Sequence, residues 1–168
     1  MGLDSLKQDL IAILEEEVGA FQKMLDFLTQ EQRALVQDDI ETIKSAIKGK
    51  EQMAGEIRLI ETRRLHVVRS IGQSFGLGED QLNLSRIAEF YKGEDGERMR
   101  GTRDALLNLH AEIRRTNRNN ALLVRHALRY VDRTLQLFKG GDGPNRVYQR
   151  TGMTEGNAGL RAAVNRVA

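Results

Sequence analysis

The chain has 168 residues, a net charge of +2, 40% hydrophobic residues, one proline, no cysteine and no tryptophan. That length allows one domain with a modest core, and the missing cysteines exclude disulfides and thiolate metal sites and fit a reducing compartment. Aromatic residues are only 5% of the total, so a thin aliphatic seam between long helices is expected in place of a wide globular core. No stretch approaches the roughly 18 consecutive apolar residues of a membrane span, and MGLDSLKQDL is too acidic and polar for a secretory signal. A cytoplasmic protein without membrane insertion is expected. Charge is uneven along the chain. Residues 1–80 carry 10 Lys+Arg against 15 Asp+Glu (−5), and residues 81–168 carry 16 against 9 (+7). The two halves can attract one another, or the basic half can meet an acidic partner.

The first periodic segment runs through Leu3, Leu6, Leu10, Leu14, Val18, Phe21, Leu25, Leu28 and Leu35, with Gln32 completing the row. Steps of three and four predict an amphipathic helix over about 3–36, roughly 45–50 Å long. Asp38-Asp39 supply an N-cap signal, and Glu41 suits the dipole of a second helix over about 39–73. Its row is Ile40, Ile43, Ile47, Lys50, Ala54, Ile57, Ile60, Arg64, Val68 and Ile71, and the two helices should form an antiparallel hairpin. FGLGED (75–80) stops the second helix, and a short helix follows at 83–91, capped by Asn83 or Ser85. A third long helix is expected over about 97–138, through Leu106, Leu109, Ile113, Asn117, Asn120, Val124, Ala127, Val131, Leu135 and Phe138.

These elements predict an all-α fold: an elongated antiparallel bundle of three long helices with a short connecting helix, over residues 1–138. Residues 139–168 hold six of the 16 glycines and the only proline. Too little apolar surface is present there to offset ordering entropy, so a disordered C-terminal tail is expected, with at most a weak helical turn at 159–167. The third row raises its own question. Asn117 and Asn120 stand where apolar side chains belong, and a buried amide is unfavourable unless it finds partners.

Catalytic and metal chemistry find little support. His66, His110 and His126 lie far apart and belong to no HExxH arrangement. His110-Ala111-Glu112 resembles the H-x-E of zinc deaminases, but the required cysteines are absent. GGDG and GLGED match no phosphate loop and read as helix stops and linkers. No cofactor, metal site or catalytic residue is expected. Arg114, Arg118, Arg125, Arg129 and Arg133 form a basic ridge on the third helix. It reads as a solvated or hairpin-pairing surface in preference to a nucleic-acid tract, because no aromatic residues interleave for base stacking.

Several segments together resemble the FlgN family of flagellar type III export chaperones. The hairpin segment EQRALVQDDIETIKSAIKGKEQMAGEIRLIETRR (31–64) has the family's leucine row, acidic turn and basic second helix. Asn117, Asn120 and Leu123 resemble its Asn-x-x-Asn-x-x-Leu-Leu motif, although here the paired leucines come one position earlier, as Leu122-Leu123. Val147-Tyr148-Gln149-Arg150-Thr151-Gly152 is similar to its Tyr-x-x-x-Gly element. The resemblance implies a non-enzymatic chaperone that holds the helical C-terminal segments of hook–filament junction proteins in the cytosol and prevents premature assembly. It also implies delivery of those clients to the export gate and its associated ATPase.

On that reading Asn117, Asn120, Leu123, Val124, Ala127, Val131, Leu135 and Phe138 face the client, and Tyr148 with Gly152 docks the export gate. An amphipathic client helix would lie in a groove at i, i+3, i+4 and i+7 spacing. The two asparagines either set client register or hydrogen-bond within the protein's own bundle. A structural coiled-coil adaptor, a homo-oligomeric spacer and a nucleic-acid-binding bundle are the alternatives.

Overall fold

The structure, a computed structural model, describes residues 2–78, 83–91 and 93–140. Among them every regular element is a helix: α1 Leu3–Gln37, α2 Ile40–Phe75, α3 Leu84–Phe90 and α4 Glu94–Gly140. The all-α class is as expected. The chain divides into two compact units, residues 1–127 and 128–168, with the boundary inside α4. Most of the expected tail, from residue 141 onward, lies outside the described residues, and so do Tyr148 and Gly152.

Local chemistry explains each break. Asp38 adopts the left-handed conformation (φ 55°), and its N–H bonds the Ala34 carbonyl to close α1. Aspartate enters that region more readily than most residues. Asp39 then opens α2, its Oδ1 accepting from the Thr42 N–H at 3.1 Å and its Oδ2 from the Thr42 hydroxyl at 2.6 Å. The Thr42 hydroxyl, and next the Thr42 N–H, hold this carboxyl below the ordinary aspartate pKa.

Gly76 (φ 66°) ends α2, with the Leu77 N–H reaching back to the Gly72 carbonyl at 2.9 Å. Of the two candidate caps for α3, Asn83 is the one used: its side chain accepts from the Arg86 N–H at 2.8 Å. The chain enters α4 so tightly that a Cβ on Gly96 would overlap the Tyr91 carbonyl oxygen. Glu94, Asp95 and Glu97 occupy the first turn of α4. Their charge favours a helix N-terminus and accounts for a start three residues earlier than periodicity suggested.

Within the first unit, paired side chains define helix directions. Glu16 meets Arg63 at 2.6 Å, Glu17 meets Arg64 at 3.0 Å and Glu31 meets Lys50 at 2.6 Å. Numbers rise on α1 as they fall on α2, so this hairpin is antiparallel. On α4 the order follows α1: Asp95 pairs with Lys7, Arg98 with Glu15, His110 lies 4.2 Å from the Phe21 ring, and Asn120 meets Leu28. α1 is thus gripped on two sides, which is why it buries adjacent stripes such as Leu10 with Ile11 and Ile13 with Leu14.

The core joins Leu10, Leu14, Phe21 and Leu25 of α1 to Met53, Ile57, Ile60 and Ile71 of α2, with Ile87 of α3 and Met99, Leu106 and Leu109 of α4. Each fully buried aliphatic side chain contributes about 1.5–3 kcal/mol by leaving water. Phe75 stacks on Phe90 at 4.6 Å and meets Tyr91 edge-on at 6.0 Å, tying the end of α2 to α3.

Two seams differ in detail from their expected rows. In α4 the buried side chains are Met99, Leu106, Leu109, Thr116 and Asn120, so Thr116 takes the place expected of Asn117, which is exposed. In α2 the first turns turn Ala46 and Met53 inward and leave Ile40 and Ile47 exposed. Both shifts are one-residue choices of phase. Steps of 109, 113, 116 and 120 track an α-helix as well as the row through 117 does.

Candidate functional site

The most elaborate polar arrangement of the first unit joins three helices through Glu31. Its Oε1 accepts from Lys50 Nζ at 2.6 Å, and its Oε2 accepts from Asn120 Nδ2 at 2.8 Å. The same amide nitrogen donates to the Leu28 carbonyl at 2.8 Å. Asn120 is only 3% exposed. Both of its N–H groups are used within the protein, and both Glu31 oxygens have a donor. The charge of Glu31 is matched by Lys50, which is what makes burial of the carboxylate tolerable. Asn120 Oδ1 has no donor among the described residues. A bond from Nδ2 of α4 to a backbone carbonyl of α1 sets the axial position of one helix on the other.

From this point the apolar face of α4 changes character. In the first unit Leu106, Leu109 and Asn120 are buried and Leu123 is half-buried, whereas Val124 and Ala127, in the same helical phase, are exposed. In the second unit Val131 and Leu135 are each 51% exposed and Phe138 is 77% exposed. Steps of four and three place those three on one helical face. Leu128, Tyr130 and Leu137 are exposed as well. An apolar row uncovered over several turns is a recurrent mark of a helix that docks another helix.

Of the residues expected to face a client, Leu123, Val124 and Ala127 belong to the first unit, and Val131, Leu135 and Phe138 share an exposed helical face in the second. Asn117 is exposed, and Asn120 lies inside the first unit. Glu31 was not singled out from sequence. The signal was present: Glu31 stands between Leu28 and Ala34 at helical steps, Lys50 interrupts the α2 row, and Asn120 interrupts that of α4. One acid, one base and one amide in three facing seams are the elements of a shared network. A second exposed apolar set, Val36, Ile40 and Ile47, lies around the α1–α2 turn.

Glu17 is the other buried carboxylate, 2% exposed. Arg64 Nε lies 3.0 Å from its Oε2, without the alignment of a hydrogen bond. Burial, helped by the charge of Glu61, raises the Glu17 pKa above its ordinary value of 4.5, against the opposing pull of Arg64. A raised acid pKa means that the fold favours the neutral form. The stabilisation is complete below pH 4.5 and is lost as pH rises through the folded-state value. Glu17→Gln is therefore expected to melt higher than the parent at neutral pH, and the gap should close in acid. Melting curves of both proteins across that range provide the check. A lower melting temperature for the glutamine variant at neutral pH would show that attraction to Arg64 outweighs desolvation.

Among the described residues no three His, Asp or Glu side chains gather as a metal site, and no helix is long and apolar enough to cross a membrane. What the residues of the first unit assemble is a helical scaffold clamped by one polar network. The FlgN protein family model matches residues 1–156. The chain belongs to the FlgN family, a family of flagellar chaperones. Neither a curated protein nor a solved structure matches it.

Proposed function

We propose that this protein is a cytosolic export chaperone for flagellar hook–filament junction proteins, built on an antiparallel bundle of three long helices. It binds their C-terminal helical segments, prevents premature assembly and delivers them to the type III export gate and its associated ATPase. The observation that carries this reading is the exposed apolar face of α4 in the second unit at Val131, Leu135 and Phe138, with Val124 and Ala127 exposed in the first. A segment destined for a filament is amphipathic and self-associating, and such a row can bury its apolar face. Leu123 borders the row, Asn117 offers a polar rim, and Asn120 acts from inside by holding α4 in place. Tyr148 and Gly152 serve as the gate-docking element.

The test is co-purification of the protein with each flagellar junction protein, followed by calorimetry against the client's C-terminal segment. Submicromolar binding is expected. Absence of client affinity in a protein that forms a stable homo-oligomer would favour a structural adaptor. Gate docking is tested separately on the loaded complex. Tyr148→Ala is expected to weaken binding to the gate's cytosolic domain by about 1–3 kcal/mol, the range of one hot-spot side chain, without lowering the melting temperature. Unchanged gate affinity would remove Tyr148 from the delivery step.

A further inference from the structure

Residues 113–127 contain Arg114, Arg115, Arg118 and Arg125 and not one aspartate or glutamate. At 3.6 residues per turn, Leu107, Arg114, Arg118, Leu122 and Arg125 fall within roughly 80° of the circumference of α4, on the side turned away from its buried seam. All five are exposed, and Leu107 and Leu122 rank among the large apolar residues left in solvent. Among the described residues the guanidinium groups of Arg114, Arg118 and Arg125 have no hydrogen bond or ion pair, while Arg115 has Glu112 at 3.5 Å. A shallow depression of about 430 Å³ is bordered by Ala111, Arg114, Arg115, Arg118 and Asn119. Three other arginines of the unit meet carboxylates, Arg63 with Glu16, Arg64 with Glu17 and Arg98 with Glu15.

We propose that this outward face of α4 is a second docking surface, which takes an acidic amphipathic helix of another protein. It is distinct from the client row, since Val124 and Ala127 of the first unit lie on a different side of the helix, so the surface goes beyond the chaperone reading and does not depend on it. The charge selects carboxylates, which a guanidinium can bind in a two-pronged geometry. The interleaved leucines select the rest. Arg118 and Arg125 are one heptad apart, roughly 10 Å along the axis, the repeat of glutamates on one edge of a partner helix. Leu107 and Leu122 gain only if that helix also brings apolar side chains. A phosphate backbone would satisfy the arginines and leave both leucines without a partner, which is why a helix fits this face better than nucleic acid.

The experiment uses the full-length protein and a fluorescent helical peptide of about three heptads, with leucine at the seam positions and glutamate at the flanks. A twin peptide carries lysine for glutamate, and a DNA duplex is the third probe. Anisotropy should show the glutamate peptide binding at least tenfold tighter than the lysine twin. In the triple variant Arg114→Glu, Arg118→Glu, Arg125→Glu the preference should reverse. Leu122→Ser, a single exposed change that leaves every arginine in place, should weaken the glutamate peptide several-fold. The proposal is overturned if the two peptides bind alike, or if Leu122→Ser has no effect while the duplex outcompetes the glutamate peptide. It is also overturned if the triple variant abolishes a homodimer, which would make a second copy of this chain the occupant. Client binding by the triple variant should equal that of the parent, which separates this surface from the apolar row.

Discussion

Val131→Asp is expected to leave the helical spectrum and melting temperature unchanged while weakening client binding by about thirtyfold or more. The two halves of that expectation have one cause. Val131 is half exposed in the free protein, so a carboxylate there stays hydrated and costs the fold little. In the complex the same position is covered by the client helix, and an unpaired charge must then be desolvated. Two or more kcal/mol is the scale of such a loss at the centre of an interface, and each 1.4 kcal/mol is tenfold in affinity. Calorimetry of parent and variant against the same client segment decides the matter. Full affinity in a folded variant would move the client site away from α4. Val36, Ile40 and Ile47 around the α1–α2 turn would then be its apolar surface.

Asn120→Leu should have the opposite profile, lowering the melting temperature of the free protein. Two effects compete. Leucine would complete the apolar seam of α4 and gain about 1–2 kcal/mol from burial. Against this, the Leu28 carbonyl and Glu31 Oε2 would both lose their donor at a buried position. Stranded acceptors cost about 1–3 kcal/mol each, more for a charged group. The second effect wins because two acceptors are stranded and one of them is ionised. A net loss of about 1–3 kcal/mol is expected, several degrees in melting temperature for a chain of this size. Glu31→Gln should recover part of it in the double variant, since a neutral amide left without the Asn120 donor costs less than an ionised carboxylate. A melting temperature for Asn120→Leu at or above that of the parent would show that the network is not net stabilising, and that Asn120 is free to serve another role.

The placing of the helices was legible from sequence for physical reasons. Leucines at three and four along residues 3–35 can bury together only on a helix. Asp38-Asp39 provides both a left-handed stop and a side-chain cap, and Asn83 can bond the orphan N–H groups that open α3. Motif order along the chain was enough to identify the FlgN family. Periodicity alone fixes a helical face only to within about one residue. It therefore could not choose between Thr116 and Asn117, or between Ala46 and Ile47. That choice belongs to the neighbouring helix, because whichever side chain meets α1 most closely is the one driven inward.

Nor does periodicity say how far along a helix its apolar face is covered. Leu109 and Val131 look alike in the α4 row, yet one is buried and the other half exposed. Coverage is a property of the partner surface. The sequence left the role of Asn120 open between client register and a bond within the bundle. An amide in a seam is costly or useful according to what stands opposite, and only the packing of α1, α2 and α4 places the Leu28 carbonyl and the Lys50-balanced Glu31 within 2.8 Å of its nitrogen.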